Sequence, residues 1–255
     1  MAAAMMVMTV ACNNKSNGKN NGGNEQEDEV LINIDGKFSD WEALTDVKVA
    51  KYNKNFEDEV IGEGELIILD ALNNLKAVAD KYYLYLYFEI NMGKEHPGGV
   101  NWEGKPVAKA YAQPVEIYID ADNNGETGCL VWVWDPCGAE YNFEANIGTK
   151  EIDPEAELTG SFAKYTGEDG KDLWEGGVYN AEEITQLGLY AGKGALDGDI
   201  LKYEIRFARA FLPLLQSKIG VAVELMSSEW ALMGVLPQAQ EEGVWTGKFY
   251  EVTLP

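Results

Sequence analysis

The stretch YYLYLYFEI, residues 82–90, alternates with a period of two: Tyr82, Leu84, Leu86, Phe88 and Ile90 share one face, and Tyr83, Tyr85 and Tyr87 take the other. Successive side chains of a β-strand point to opposite sides, so the pattern reads as a strand with an aliphatic face and a tyrosine face. LKYEIRF, 201–207, alternates more sharply, setting Leu201, Tyr203, Ile205 and Phe207 against Lys202, Glu204 and Arg206. Comparable short runs occur at 30–34, 66–69, 114–120, 139–145, 219–225 and 247–254, broken by Gly, Asn and Asp clusters. Helical signals are few. Asn180 followed by Glu183 makes a capping-box-like start for a short helix near 181–188, and 208–216 reads as a brief turn limited by Pro213. This series of short strands with long connections predicts an all-β chain: a single antiparallel β-sandwich of the jelly-roll type with one or two short helices, covering 30–255.

Composition narrows what such a sandwich can bind. The 255 residues carry 20 Lys+Arg against 43 Asp+Glu, a formal net charge of −23. A phosphate-binding surface needs clustered cations, so nucleic acid is excluded as a partner, and an anionic membrane surface is disfavoured for the folded part. With 46% hydrophobic and 11% aromatic residues the chain can build a core. Its one histidine, His96 in KEHPGG, reads as an exposed loop residue and leaves little room for imidazole catalysis. No G-x-S-x-G, P-loop, H-E-x-x-H or G-x-G-x-x-G motif occurs, and no carboxylate pair stands out by local context as a glycosidase would need. The expectation is a non-enzyme with no catalytic residues.

The N-terminus differs from the rest. MAAAMMVMTVA, 1–11, is uncharged and apolar, ends in Ala11 and is followed by Cys12; NNKSNGKNNGGNEQEDE, 13–29, has no apolar side chain. This resembles a bacterial lipoprotein signal with its lipobox cysteine, which implies that Cys12 is lipidated and that 13–29 is a disordered polar tether. A coil of that length reaches roughly 20–25 Å, enough to lift a domain off a membrane while keeping it leashed. The resemblance implies a lipid-anchored protein of a Gram-negative-type cell envelope, at the outer membrane or cell surface, touching the membrane only through its anchor.

A second resemblance runs through the body of the chain. IDGKFSDW (34–41), LKAVADKYYLYLYFEI (75–90), VEIYIDADNNGETG (115–128), GAEYNFE (138–144), YEIRFARAFLPLL (203–215) and KFYEVTLP (248–255) follow in the order found in family 9 carbohydrate-binding modules and their relatives. The likeness covers most of 30–255. It implies a β-sandwich, often attached to polysaccharide-processing systems, with a glycan as ligand and a neighbouring glycan transporter or hydrolase as partner. Some relatives bind haem or have no known ligand, and a fold alone does not assign a function.

Within DADNNGETG, 120–128, Asp120, Asp122 and Asn124 fall at alternating positions with Gly125 next, so a tight loop can point three hard oxygens inward. The spacing copies the first half of an EF-hand loop, but the twelfth position is Val131 instead of Glu. The missing carboxylate must come from elsewhere, and Glu140, opening the next strand, is the candidate. The expected cofactor is a structural Ca²⁺ held by Asp120, Asp122, Asn124 and Glu140. The alternative is a plain polar turn, for which Asp, Asn and Gly are favoured in any case.

CLVWVWDPC, 129–137, lies between that loop and GAEYNFE. In one straight strand Cys129 and Cys137 would stand more than about 20 Å apart at about 3.3 Å per residue, beyond any disulfide. The family pattern has a variable connection here, which implies a loop stapled by Cys129–Cys137, a closure gaining about 2.5 kcal/mol at most. Stapling would display Trp132 and Trp134, whose indoles suit stacking on sugar C–H faces; the alternative is that V-W-V-W packs inward. Trp102 in GGVNWEGKP and Trp174 in DLWEGG are the further glycan-binding candidates. Trp41 reads as core, Trp230 and Trp245 as packing, and the Tyr83/Tyr85/Tyr87 stripe as either a sugar face or a second core layer. Two other functions remain open: an envelope structural or protein-interaction module without sugar affinity, and a haem-binding relative.

Overall fold

The computed structural model describes residues 30–53, 60–61, 65–66, 70–96, 98–100, 106–107, 110–129, 134, 138–146, 160–165, 167–171, 189–212, 215–238, 240–241, 244–245 and 248–255. Ten strands form the body: β1 (Leu72–Ala79), β2 (Tyr83–Asn91), β3 (Ala110–Asp120), β4 (Tyr141–Asn146), β5 (Gly160–Lys164), β6 (Tyr190–Asp197), β7 (Ile200–Ala208), β8 (Lys218–Ser227), β9 (Leu232–Leu236) and β10 (Tyr250–Thr253). They make two antiparallel sheets. The smaller has the order β6-β7-β2-β1; the larger runs β5-β4-β3-β8-β9, with β10 pairing the first half of β8 and Glu95–His96 pairing the start of β3. The architecture is an antiparallel β-sandwich.

The alternation in the sequence sets the layers. Leu84, Leu86, Phe88 and Ile90 of β2 and Leu201, Tyr203, Ile205 and Phe207 of β7 face Val115, Ile117 and Ile119 of β3, Tyr141 and Phe143 of β4 and Ile219, Val221 and Val223 of β8, all essentially inaccessible to water. Burial of that many apolar side chains at roughly 25 cal/mol per Å² is the main stabilising term.

Both outer faces are also partly covered. On the smaller sheet, residues 30–43 lie across the tyrosine face, and Ile32, Phe38 and Trp41 pack against Tyr85 and Tyr87. The tyrosine stripe is therefore a second core layer. Residues 30–34, expected to be a strand, form none. Their amides are taken by side chains: Leu31 N–H donates to Asp80, Asn33 N–H to Asp40, and Asp35 and Gly36 N–H to Glu204 Oε1 at 2.8 and 2.7 Å. The signature continues into a short helix, α1 (Ser39–Ala43), whose Trp41 donates its indole N–H to Glu204 Oε2 at 3.0 Å. Glu204 thus anchors this strap at two points, Asp35–Gly36 and Trp41. The turn expected at 208–216 contains a 3₁₀ turn at Arg209–Phe211, while the helix expected near 181–188 lies outside the described residues.

On the larger sheet the cover includes Trp134, which packs with Tyr118, Cys129, Ala222 and Val235. Its exposure is 0% and its indole N–H donates to Pro237 O at 3.0 Å. This corrects the expectation that Trp134 is displayed for stacking on a sugar: the outward faces of β3, β8 and β9 carry Tyr118, Ala222 and Val235, and the indole fills the apolar space above them.

Candidate functional site

The β3–β4 connection is built as the spacing of its polar residues requires. Asn123 takes a left-handed φ of 56°, and Asn124 N–H donates back to Asp120 Oδ1 at 3.2 Å. Thr127 Oγ1 lies 3.1 and 3.2 Å from the two Asp122 oxygens and orients that carboxylate. Glu140 precedes β4 and aligns with the end of β3, its N–H donating to Ile119 O at 3.0 Å. One ligand oxygen from each of Asp120, Asp122 and Glu140 then falls within 4.8 Å of the others.

The electrostatics of this trio are unbalanced. Glu140 is 7% exposed; its Oε2 accepts Ala121 N–H at 2.7 Å, while its Oε1 is buried with no hydrogen-bond partner. Burial pushes the Glu140 carboxyl up to about 7, with Asp122 and Asp120 adding repulsion, and pushes Asp120 up to about 6. A buried acceptor left unsatisfied is costly, and three carboxylates together cost more; a hard divalent cation relieves both. The backbone leaves room for this arrangement. Gly128 has φ +71°, and a Cβ there would come 2.6 Å from Glu140 Oε1; at Gly138 it would come 2.1 Å from Asn124 O. Asn124 is exposed, and its side-chain oxygen accepts Glu126 N–H at 3.1 Å.

Of the remaining expected residues, Trp132, Trp102, Trp174, Cys137 and Cys12 lie outside the described residues. The Cys129–Cys137 pairing lies outside them too; Cys129 itself is buried and bridges to Ala139 and Lys171 through its backbone. Trp230, read from sequence as packing, is 44% exposed at the β8–β9 turn with φ 59°.

Two polar constellations were not anticipated. On the outer face of the larger sheet Glu144, Glu116 and Glu224 are direct neighbours across β4, β3 and β8. Tyr118 donates its hydroxyl to Glu116, and Asn142 Nδ2 lies 3.5 Å from the same carboxylate. Burial, then repulsion from Glu116, holds the Glu224 carboxyl well above the usual range. The signal was present in VEIYID, YNFEA and AVELM, each an acid at an outward position of an apolar strand, but nothing in the sequence said that these strands are adjacent. On the smaller sheet, beside the strap, a cleft of about 340 Å³ opens over Asn74, Lys76, Glu89 and Lys202.

No family model matches the chain, and no curated protein matches it. Similar solved structures include a family 9 carbohydrate-binding module from Caldicellulosiruptor kristjanssonii in complex with cellotriose, at 14% identity, covering 88% of this chain and 89% of that one with a TM-score of 0.40. Another is a family 9 module from the same organism in complex with glucose, at 13% identity, covering 88% and 91% with a TM-score of 0.43.

Proposed function

We propose that this chain is a non-catalytic carbohydrate-binding lipoprotein of the cell envelope, with the loop end of its sandwich braced by a structural Ca²⁺. The observation that carries the reading is the convergence of Asp120, Asp122 and Glu140 with Glu140 Oε1 buried and unsatisfied. Asp120, Asp122 and Glu140 would hold the ion, together with backbone oxygens of the 121–128 turn. Bound Ca²⁺ supplies charge neutralisation and rigidity, the use to which oxygen-rich loops ordinarily put this cation. The chain's own residues do the positioning: Thr127 orients Asp122, and Ala121 N–H fixes one Glu140 oxygen and leaves the other unpaired.

Carbohydrate as the ligand is supported by the ordered series of motifs from IDGKFSDW to KFYEVTLP and by half-buried Glu116 and Glu144 on the outer face; their neighbours Glu224, Asn142 and Tyr118 are buried. A ligand hydroxyl would use the acceptor lone pairs of those two half-buried carboxylates. Cys12 would tie the domain to the membrane through the polar tether, near a glycan transporter or hydrolase that takes the captured sugar. A neutral glycan suits a chain of −23 better than an acidic one.

The test is a glycan array probed with the purified chain in Ca²⁺ and in EDTA. The reading expects binding of neutral oligosaccharides, weakened in EDTA and weakened by Glu116→Gln. A blank array from folded protein in both buffers contradicts the carbohydrate reading and favours an envelope interaction module.

A further inference from the structure

We infer that the cleft beside the N-terminal strap is a second saccharide subsite, on the sheet opposite the glutamate row, taking a single terminal pyranose through its vicinal hydroxyls. The inference rests on the carbohydrate reading above and adds a place and a ligand unit to it.

The cleft exists because the strap stops short of the sheet's end. Trp41 and Phe38 fill the space over Tyr87, and beyond them the outward side chains of β1, β2 and β7 form an open floor of Asn74, Lys76, Glu89 and Lys202. Glu42 of α1 and Lys51, beyond the strap, also line the cleft. Its volume of about 340 Å³ is at the low end of small-molecule sites, so it suits one sugar ring better than a chain.

The floor is organised around Glu89. Its Oε1 accepts the Tyr87 hydroxyl and its Oε2 accepts Asn74 Nδ2, each at 2.6 Å. Both donors are neutral, and each carboxylate oxygen keeps a second lone pair for a ligand hydroxyl. Lys202 stands directly opposite Glu89 in register, yet its ammonium is 3.0 Å from Asp197. Glu89 is therefore oriented by neutral groups with a cation to one side, an arrangement that can accept from one hydroxyl while a lysine donates to its neighbour.

Asn74 reaches Glu89 through a specific backbone device. The β1–β2 register shifts between Asn73 and Lys76, and Asn74 adopts a left-handed φ of 53°. A bulge of this kind re-aims a side chain. Asn73 Oδ1 holds it by accepting both Asn74 N–H at 2.9 Å and Tyr52 N–H at 3.1 Å, which also ties down the segment carrying Lys51. Lys76 lies 5.6 Å over the Tyr87 ring and donates to Trp41 O at 3.1 Å, leaving further ammonium protons toward the cleft.

The result is a compact set of alternating donors and acceptors. Three lysines offset two glutamates here, a balance unlike the −23 of the whole chain. No aromatic face is open, since Trp41 is 1% and Tyr87 5% exposed. Such a surface recognises hydroxyls by hydrogen bonding and would not select a flat hydrophobic ligand.

The experiment is NMR titration of the ¹⁵N-labelled chain with methyl glucopyranoside, methyl galactopyranoside and methyl mannopyranoside, followed by affinity measurement on Glu89→Gln and on the wall variant Lys51→Ala/Glu42→Ala. Glu89→Gln keeps the side chain's shape, and the wall residues are exposed, so the wall variant guards against a folding artefact. The inference predicts shifts at residues 74, 76, 89 and 202, and at least tenfold weaker binding by both variants. Binding unaltered in both, with shifts confined to the 116, 142 and 224 row, overturns the second subsite while the carbohydrate reading stands. No response to any glycoside, together with a blank glycan array, overturns both.

Discussion

Two buried glutamates, Glu204 within β7 under the N-terminal strap and Glu140 at the start of β4, have been given opposite treatment. Glu204 is 0% exposed, and the strap supplies three donors to its two oxygens: the Asp35 and Gly36 amides and the Trp41 indole. Glu140 is 7% exposed and receives one donor, from Ala121, on a single oxygen. Its other oxygen is buried without a hydrogen-bond partner, and the carboxylate stands beside Asp120 and Asp122. The protein therefore knows how to satisfy a buried carboxylate from its own backbone, and at Glu140 it has not done so. The difference separates a structural clamp, complete within the chain, from a carboxylate left one partner short, which is what the proposed Ca²⁺ would supply.

The largest expected effect breaks the clamp. Glu204→Ala strands three donors under the strap and should cost about 3–5 kcal/mol of stability in urea unfolding, with no dependence on Ca²⁺. If the loss instead varies with Ca²⁺, the two sites are not independent. The next effect concerns the other glutamate. Ca²⁺ at 100 times its dissociation constant should stabilise the wild-type chain by about 2.7 kcal/mol and Glu140→Gln by almost nothing, measured as thermal shifts in Ca²⁺ and EDTA.

A pH series sharpens the comparison. Burial and neighbouring acids raise Asp120 to about 6 and Glu140 to about 7, so in this range the folded state holds protons that the unfolded state has released. The pair's contribution to stability without metal is then fully present below the unfolded carboxylate range and is lost as pH rises through about 7. Glu224 and Glu144, also raised by burial, act in the same direction. Ca²⁺ binds the ionised forms, so the difference between curves with and without Ca²⁺ should open as pH rises from 5 to 8. Parallel curves would remove the trio from the account. The smallest effect has the opposite sign to the first: without metal, Glu140→Gln should leave the chain stabilised by about 1 kcal/mol near pH 8, because an uncompensated buried charge is gone.

The sequence made some of this plain and hid the rest for definite reasons. β2 and β7 were legible because one side of each packs into the core while the other does not, so their alternation is sharp. β9 was not, since all of Leu232–Leu236 is buried and shows no alternation. The bulge at Asn73–Asn74 interrupts the pattern of β1, and the small residues of YAGKGALD blur β6. Val30, Ile32 and Ile34 alternate as a strand would, but side-chain carboxylates take their neighbours' amides and no ladder forms. Periodicity records that a residue has two sides, without recording which of them another segment covers. Trp134 is the clearest case: its indole was read as displayed and is buried against Tyr118 and Phe249. Glu140 was legible because an unfinished set of oxygens at 120–124 called for one more carboxylate from the following strand. The Glu144–Glu116–Glu224 row and the floor of the strap cleft required strand order and register, which no local motif carries.

Whether the trio is a metal site is decided by calorimetric titration of Ca²⁺ into the wild-type chain and Glu140→Gln at pH 8, with both shown to be folded by circular dichroism. One ion is expected to bind at the trio in the wild type and none there in the variant. Wild-type protein that binds no Ca²⁺, or a variant that binds it with unchanged stoichiometry and affinity, would contradict that expectation.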